Sequence, residues 1–261
     1  MAVRKAIRGL SPQELTNFRD AISRTKALSD ERGYSYYAGI HGLPLPIECQ
    51  HSRAGINLLF LPWHRAYMYF WELALQDQVP EVGIPYWDWT AQVSHQEGLP
   101  LAVAQEQVNG AENPLFSATV EWDQNLINFV RQRLPGTLTQ EGQTLRDPDP
   151  PDDLPRQATI DSILEAPTFE DFSTRLEDVH GGVHVWVGGA MSQVPTAGYD
   201  PVFMMHHSMI DRLWYLWQTG PHGMDPPASI MQLALPPFPI TVAQTLNIET
   251  LGYEYAVQIS A

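Results

Sequence analysis

The 261-residue chain is 44% hydrophobic, which is enough for one large buried core, and we predict a single domain over residues 1–261. Its formal net charge of -15 argues against nucleic acids and anionic membranes as partners, because both favour basic surfaces. Neither a signal peptide nor a membrane-spanning run is recognisable in the sequence, so we expect a soluble, cytoplasmic protein.

The N-terminal part of the chain predicts one well-marked helix followed by an irregular segment. Ser11, Pro12 and Glu14 form the pattern of an N-cap, a proline in the first turn and a capping box, so we expect a helix from residue 11 to about residue 28. Residues 34–50 are rich in Tyr, Gly and Pro and are predicted to be irregular. This segment carries His41 and is followed directly by His51.

Four further helices are predicted along the rest of the chain, over residues 61–75, 119–134, 168–180 and 202–217. Between the second and third of these, residues 147–155 are acidic and contain several prolines, a composition typical of an exposed loop. We therefore predict a mainly α-helical protein with long irregular loops.

Six of the nine histidines fall into two sets of three around the two helices with the longest aromatic runs. Three converging imidazoles can hold one metal ion, and two such sets predict two ions in one pocket. A single histidine is more often a core or surface residue, but six in this arrangement favour the metal site.

Zinc is an alternative, because an i, i+4 pair with a third histidine also binds zinc. Against zinc, neither set reads His-Glu-x-x-His. The two sets are His41, His51 and His64, and His180, His184 and His207.

The choice of His207 over its neighbour His206 comes from a comparison of the two helices. Phe60 lies four residues before His64, and Phe203 lies four residues before His207. Counting from the two phenylalanines therefore selects His207 as the ligand.

The chain resembles the type-3 copper family of tyrosinases, catechol oxidases and haemocyanin functional units. The resemblance extends over nearly the whole sequence and is most specific in residues 60–65, 180–189 and 200–214. It implies a core of four helices that holds a dinuclear copper site, with dioxygen as co-substrate. The first copper ion would be bound by His41, His51 and His64, and the second by His180, His184 and His207.

One part of the first copper motif departs from the usual pattern of the family. Residues 52–58 are interpreted as carrying an insertion between His51 and His64. In support of His51, the element Cys49-Gln50-His51 resembles one in fungal tyrosinases and molluscan haemocyanins, where the cysteine sulfur is bonded to the histidine ring. The alternative is that Cys49, the only cysteine of the chain, is a small buried hydrophobic residue.

The resemblance implies oxidation of o-diphenols to o-quinones, with small phenols as partners. Hydroxylation of monophenols in this family has been linked to a water held by a glutamate and by an asparagine after the first histidine of the second copper site. Here Gly181 replaces that asparagine, and Glu177 is the candidate carboxylate, with an ordinary solvated glutamate as the alternative. Phe203 is expected to line the pocket, unless it is a core residue, and Val185 to affect access.

Other functions remain alternatives at this stage. The same site chemistry extends to o-aminophenol oxidation. The same six histidines also serve reversible oxygen carriage in haemocyanins, and two zinc ions would indicate a hydrolase. The Tyr253–Tyr255 element resembles the end of the family's catalytic domain, and we expect no lid domain after it. The oligomeric state is left open.

Overall fold

The computed structural model describes residues 1–46, 48–51 and 58–256, and is mainly helical within them. The helices are α1 (Pro12–Lys26), α2 (Tyr34–His41), α3 (Phe60–Gln78), α4 (Gln92–Glu97), α5 (Leu101–Ala104), α6 (Gln124–Arg133), α7 (Gln157–Leu164), α8 (Phe169–Val187), α9 (Val194–Ala197) and α10 (Val202–Thr219). The strands are β1 (Ala2–Arg4), β2 (Gln107–Val108), β3 (Ala111–Glu112), β4 (Ala234–Leu235), β5 (Phe238–Thr241) and β6 (Tyr253–Tyr255).

The long helix α3 occupies the centre of the molecule. It packs against α1 on one side and against α10 on another, and α8 contacts both α3 and α10. Buried tryptophans fill the spaces between these helices, among them Trp71 and Trp214, both with no exposed surface. Because aromatic side chains bury large apolar areas, this packing supplies much of the stability of the core. The predicted mainly helical fold with a four-helix core is confirmed.

The structure differs from the prediction most clearly at α2. Residues 34–50 were expected to be irregular, but their first eight residues form a helix that ends at His41. Its N-cap, Gly33, makes no side-chain hydrogen bond, so the local signal for a helix is weak. The helix is held by tertiary packing instead: Tyr34 is buried against Trp71, with ring centres 5.3 Å apart.

Other helix boundaries follow local capping. Helix α1 begins with the predicted capping box, in which Ser11 accepts from the Glu14 backbone and the Glu14 carboxylate accepts from the Ser11 backbone. Helix α6 begins later than predicted, because Asp123 caps the amide of Leu126. Helix α7 was not predicted. Residues 52–57, which contain most of the proposed insertion, lie outside the described part of the chain.

The two ends of the described chain meet through a short parallel sheet. Strand β1 pairs with β6, with Val3 opposite Glu254. This pairing buries Arg4 completely, and its guanidinium donates to Glu72 at 2.9 Å and to Asp211 at 3.0 Å. The N-terminal segment is therefore anchored directly to α3 and α10.

The acidic tract at residues 147–155 lies along the C-terminal end of α8. The backbone amides of Asp147 and Asp149 donate to the carbonyls of Val187 and Trp186, at 3.1 and 2.9 Å. One short 3-10 turn, Pro151–Asp153, interrupts the tract. In the part of the chain that the structure covers, no helix is both long and apolar enough to cross a membrane.

Candidate metal centre

Four helices bring five of the six predicted histidines to one place. His41 is the last residue of α2, His64 lies in the first turns of α3, His180 and His184 lie one turn apart on α8, and His207 lies on α10. These five rings are buried or nearly so, with 1–9% of their surface exposed. The sixth, His51, is on the segment that connects α2 to α3 and is partly exposed.

The second set of histidines converges through its Nε2 atoms. His207 Nε2 lies 3.3 Å from His180 Nε2 and 3.2 Å from His184 Nε2. The two histidines of α8 reach the same point because residues four apart share one face of a helix. Three imidazole nitrogens in contact form a donor set for one metal ion.

The first set is arranged around the sulfur of Cys49. The Sγ atom lies 3.0 Å from His51 Nε2 and 3.4 Å from His64 Nε2. Potential ligand atoms of His41, Cys49 and His64 all lie within 4.8 Å of one another. The ring centre of His51 is 5.8 Å from that of His64 and 6.3 Å from that of His41. The structure thus places Cys49 inside the first set, between two of its imidazoles.

The two sets are immediate neighbours. The rings of His64 and His207, one from each set, are nearly parallel, with centres 4.5 Å apart and planes inclined by 13°. His51 and His180, also from different sets, have ring centres 5.9 Å apart. Two metal ions held by these sets would share one pocket.

Backbone carbonyls accept hydrogen bonds from the outer nitrogen of three of the rings. Carbonyls in this position orient a metal-binding imidazole and fix its tautomer, so that Nε2 presents a lone pair to the metal. The three bonds run from His64 Nδ1 to Phe60 O at 2.8 Å, from His184 Nδ1 to Met191 O at 2.7 Å, and from His41 Nδ1 to Val194 O at 3.3 Å.

Glu177 plays the same part for His51. Its Oε1 atom accepts from His51 Nδ1 at 3.2 Å, and only 12% of its side-chain surface is exposed. The structure therefore places Glu177 against a predicted metal ligand rather than on a solvated face of α8. The sequence offered no signal for this contact, which joins positions 126 residues apart.

Burial keeps the five helix-borne histidines uncharged at neutral pH. It lowers the pKa of His184 to about 4, although the hydrogen bond to Met191 favours the charged ring. Burial and the repulsion between neighbouring rings, were they charged, also hold the pKa of His41, His64, His180 and His207 well below the usual value. Neutral imidazoles bind metals without first losing a proton, so the two histidine sets together fit two resident metal ions.

His206 is the remaining imidazole of this region, and it differs from the other six. Its ring stacks on His180, with centres 5.2 Å apart and planes inclined by 9°. Neither ring nitrogen makes a well-formed hydrogen bond to any described residue, although the backbone of His180 is close enough to favour the charged ring slightly. Its potential ligand atom lies within 4.8 Å of those of His180, His184 and His207. The short contacts between Nε2 atoms nevertheless join His207, and not His206, to His180 and His184.

A cavity of about 160 Å³ opens beside the two sets. Both ligand-bearing positions of α8, His180 and His184, lie on its wall together with Gly181, and a Cβ atom built on Gly181 would meet nothing within 4 Å. Tight helix packing therefore does not explain this glycine. Val185 stands at the cavity with 61% of its surface exposed. The lining residues are His41, His51, His180, Gly181, His184, Val185, Met191, Ser192, Val194 and Ala197.

Phe203 lies elsewhere than the sequence suggested. It is fully buried, with its ring centre 4.1 Å from that of His207 and 4.6 Å from that of His41, and it does not line the cavity. Its apolar ring packs behind the imidazoles, where it supports one histidine of each set. This placement corresponds to the core role that was the alternative for Phe203.

The profile of the common central domain of tyrosinase matches residues 31–220, a segment that contains all six of these histidines. The chain belongs to the tyrosinase family. This is the type-3 copper family that the sequence motifs indicated, and its copper sites fit the two histidine sets described above.

Relatives of two kinds share this domain. The chain is 34% identical to haemocyanin units G and H of Sepia officinalis over 230 residues, which is 83% of this chain and 38% of that protein. It is 35% identical to a tyrosinase of Streptomyces lincolnensis over 179 residues, 61% of this chain and 62% of that one. The chain thus spans less than two thirds of the length of either relative.

A functional unit of octopus haemocyanin superposes on 98% of the chain and 68% of its own length, with a TM-score of 0.81 and 27% identity. The similarity thus establishes the family and the fold, but the relatives that share them include both a tyrosinase and haemocyanins.

Proposed function

We propose that the chain is a copper-dependent oxidase that converts o-diphenols to o-quinones with dioxygen, as one catalytic domain over residues 1–261. The observation that carries this proposal is the open cavity beside the two histidine sets, because an oxidase must admit an organic substrate to its metal pair. Gly181 and Val185 line this cavity, and Gly181 places no side chain in it.

Each histidine set would hold one copper ion through its Nε2 atoms. When bound, the copper pair supplies the reduction of dioxygen and takes up the two electrons released by the diphenol. The chain's own residues Phe60, Met191, Val194 and Glu177 orient four of the imidazoles by accepting hydrogen bonds from Nδ1. Burial keeps the five helix-borne rings neutral.

The cavity suits an uncharged aromatic ring. Its apolar wall includes Val185, Met191, Val194 and Ala197, and none of the described lining residues is Asp, Glu, Lys or Arg. An engineered apolar cavity of about 150 Å³ binds benzene, so a volume of about 160 Å³ accommodates a single phenol ring. Small neutral catechols and o-aminophenols are therefore the proposed substrate class.

Hydroxylation of monophenols should be the weaker activity. It requires a base that removes the phenol proton, and Gly181 offers no side chain to hold a water for this purpose. Glu177, the other candidate, is hydrogen-bonded to His51. We therefore propose a site that oxidises diphenols readily and hydroxylates monophenols slowly.

Cys49 is proposed to form a thioether with His51. Its sulfur lies 3.0 Å from Nε2 of the ring, next to the ring carbons that such a bond requires. The bond would fix the imidazole that has no helix to hold it. Because the thioether forms with loss of two hydrogen atoms, intact-protein mass spectrometry of chain matured with copper and air, beside a Cys49→Ser control, tests it directly.

The proposed activity is tested by loading the purified chain with copper and following dioxygen consumption and o-quinone formation from catechol. Metal-free and zinc-loaded samples are the matched controls. Continuous turnover with copper alone supports the oxidase. Two bound copper ions per chain without catechol oxidation would contradict it.

Reversible oxygen carriage is the second candidate. It is favoured by the haemocyanin relative and by the superposition of 98% of the chain on a haemocyanin unit. A carrier would take up dioxygen in air, release it under vacuum and leave catechol unchanged. The two functions are therefore separated by the same copper-loaded sample.

A further inference from the structure

A second cavity, of about 540 Å³, shares no lining residue with the one beside the histidines. It lies between the end of α1, the start of α2 and the segment from Glu106 to Glu121. Lys26, the last residue of α1, lines this cavity, and its amine contacts two other lining residues, Pro114 and Ser117. The other lining residues are Ser23, Tyr34, Ser35, Glu106, Glu112, Asn113, Pro114, Phe116, Ser117, Ala118, Thr119, Glu121 and Gln143.

The amine of Lys26 is held by two backbone carbonyls. Nζ donates to Pro114 O and to Ser117 O, each at 2.7 Å. A neutral amine has two N–H bonds and one lone pair, so these two acceptors satisfy both of its protons and leave the lone pair free. The Tyr34 ring, with its centre 5.1 Å from Nζ, forms part of the wall.

Charged groups around the amine do not form an ion pair with it in the described structure. Asp200 is bound by Arg146 at 2.7 Å, so its negative charge is largely neutralised. The pKa of Lys26 is lowered to about 7, chiefly by burial; the negative charges of Asp200 and Glu112 oppose this shift, and the positive charge of Arg146 adds to it. A substantial fraction of the amine is therefore neutral at physiological pH, whereas an ordinary lysine with a pKa of about 10.4 is almost entirely charged.

We propose that Lys26 is a carbonyl-capture site, at which the amine adds to a small neutral or cationic aldehyde held in this cavity. The nitrogen lone pair attacks the carbonyl carbon, and one N–H proton moves to the carbonyl oxygen. The resulting carbinolamine then loses its hydroxyl group together with the second N–H proton as water, which gives an imine. The step is neither oxidation nor reduction. Glu106, Glu112 and Glu121 line the cavity and disfavour an aldehyde that carries a carboxylate or phosphate.

The composition of the chain provides an internal control. Lys5 and Lys26 are the only lysines in the sequence, and Lys5 lies in a half-exposed ion pair with Glu14. Lys5 therefore serves as the reference for the reactivity of Lys26.

The copper-loaded chain is incubated with benzaldehyde and cyanoborohydride, which reduces an imine to a stable amine. Peptide mass spectrometry then shows which lysine carries the label. At pH 7 we expect Lys26 to be labelled at least about tenfold faster than Lys5.

Three comparisons complete the test. The labelling rate of Lys26 should rise with pH through a midpoint near 7, and 4-formylbenzoate should react more slowly than benzaldehyde. Lys26→Arg keeps a donor for both carbonyls and should remove the label, while Lys5→Arg, which leaves Lys26 as the only lysine, should retain it. Labelling of Lys26 no faster than Lys5 in the folded protein would overturn the proposal. Equal reaction with the anionic aldehyde would overturn the assigned ligand charge.

Discussion

Arg65, the residue after His64, forms a fully buried ion pair with Asp211, which lies one turn beyond His207. The pair therefore joins α3 to α10 directly behind one ligand of each histidine set. Arg4 and the hydroxyls of Tyr253 and Tyr255 also contact the Asp211 carboxylate. Burial by itself would raise the pKa of Asp211, but the guanidinium groups of Arg65 and Arg4 hold it below the usual value.

Replacing Asp211 by Asn should destabilise the fold strongly. It leaves the buried guanidinium of Arg65 without its counter-charge, and loss of one partner of a buried pair costs roughly 3 to 5 kcal/mol. Urea unfolding of the metal-free protein measures the loss. Asp152→Asn is the control, because its pair with Arg156 is exposed and should contribute less than about 1 kcal/mol. Similar losses in the two variants would contradict the assigned role of Asp211.

The choice between the adjacent histidines of α10 can be tested by metal content. His207→Gln should reduce bound copper from two ions to one per chain, because His207 Nε2 contacts both His180 and His184. His206→Phe should retain two ions, because a phenyl ring preserves the stacking on His180. Elemental analysis after dialysis gives both values. Loss of an ion in the His206 variant alone would reverse the assignment.

Gly181→Asn should raise monophenol hydroxylation relative to catechol oxidation, by roughly tenfold or more if the asparagine positions a water that acts as base. The substitution meets no steric obstacle, since a Cβ atom at Gly181 has no neighbour within 4 Å. Gly182→Asn is equally free of contacts but does not line the cavity, so it serves as the control. The ratio of initial rates on a monophenol and its o-diphenol is the measurement. An unchanged ratio in Gly181→Asn would count against this role for the position.

Val185→Trp should restrict the entrance of the cavity. We expect KM for a bulky catechol such as 4-tert-butylcatechol to rise several-fold more than KM for catechol itself, because the larger side chain extends over the opening. Leu101→Trp makes the same kind of change at an equally exposed position, 61% in each case, that does not line the cavity. If both substitutions affect both substrates equally, Val185 does not control access.

As the pH falls, the metal-free protein should begin to lose stability at a higher pH than the titration of its carboxylates alone would predict. Burial lowers the pKa of His184 from 6.5 to about 4 and also lowers those of His41, His64, His180 and His207. Between pH 6.5 and about 4, the unfolded chain therefore binds more protons than the folded one, and stability present above pH 6.5 is lost as the pH falls. Urea midpoints at pH 7.5 and pH 5 measure the change.

The matched control for this pH dependence is His184→Gln, which removes one of the buried imidazoles. Its urea midpoint should fall less between pH 7.5 and pH 5 than that of the unaltered chain. Equal midpoints at the two pH values in the unaltered chain would show that the histidines are not held neutral by burial.

The sequence by itself determined the features that depend on short spacing. Ser11 and Glu14 mark the start of α1, the interval between His180 and His184 places both on one helix face, and the motifs around His64 and His207 identify the family. Such patterns are readable because one turn of helix brings residues three or four apart together.

Only the tertiary structure decided which groups support and surround the histidines. Helix α2 has a weak N-cap and is stabilised by packing, Glu177 reaches His51 across 126 positions, and Phe203 packs behind the rings instead of lining the cavity. The carbonyls that hold Lys26 likewise belong to a segment about ninety residues away. Contacts of this kind depend on how distant segments pack after loop closure, and no local periodicity or spacing encodes them.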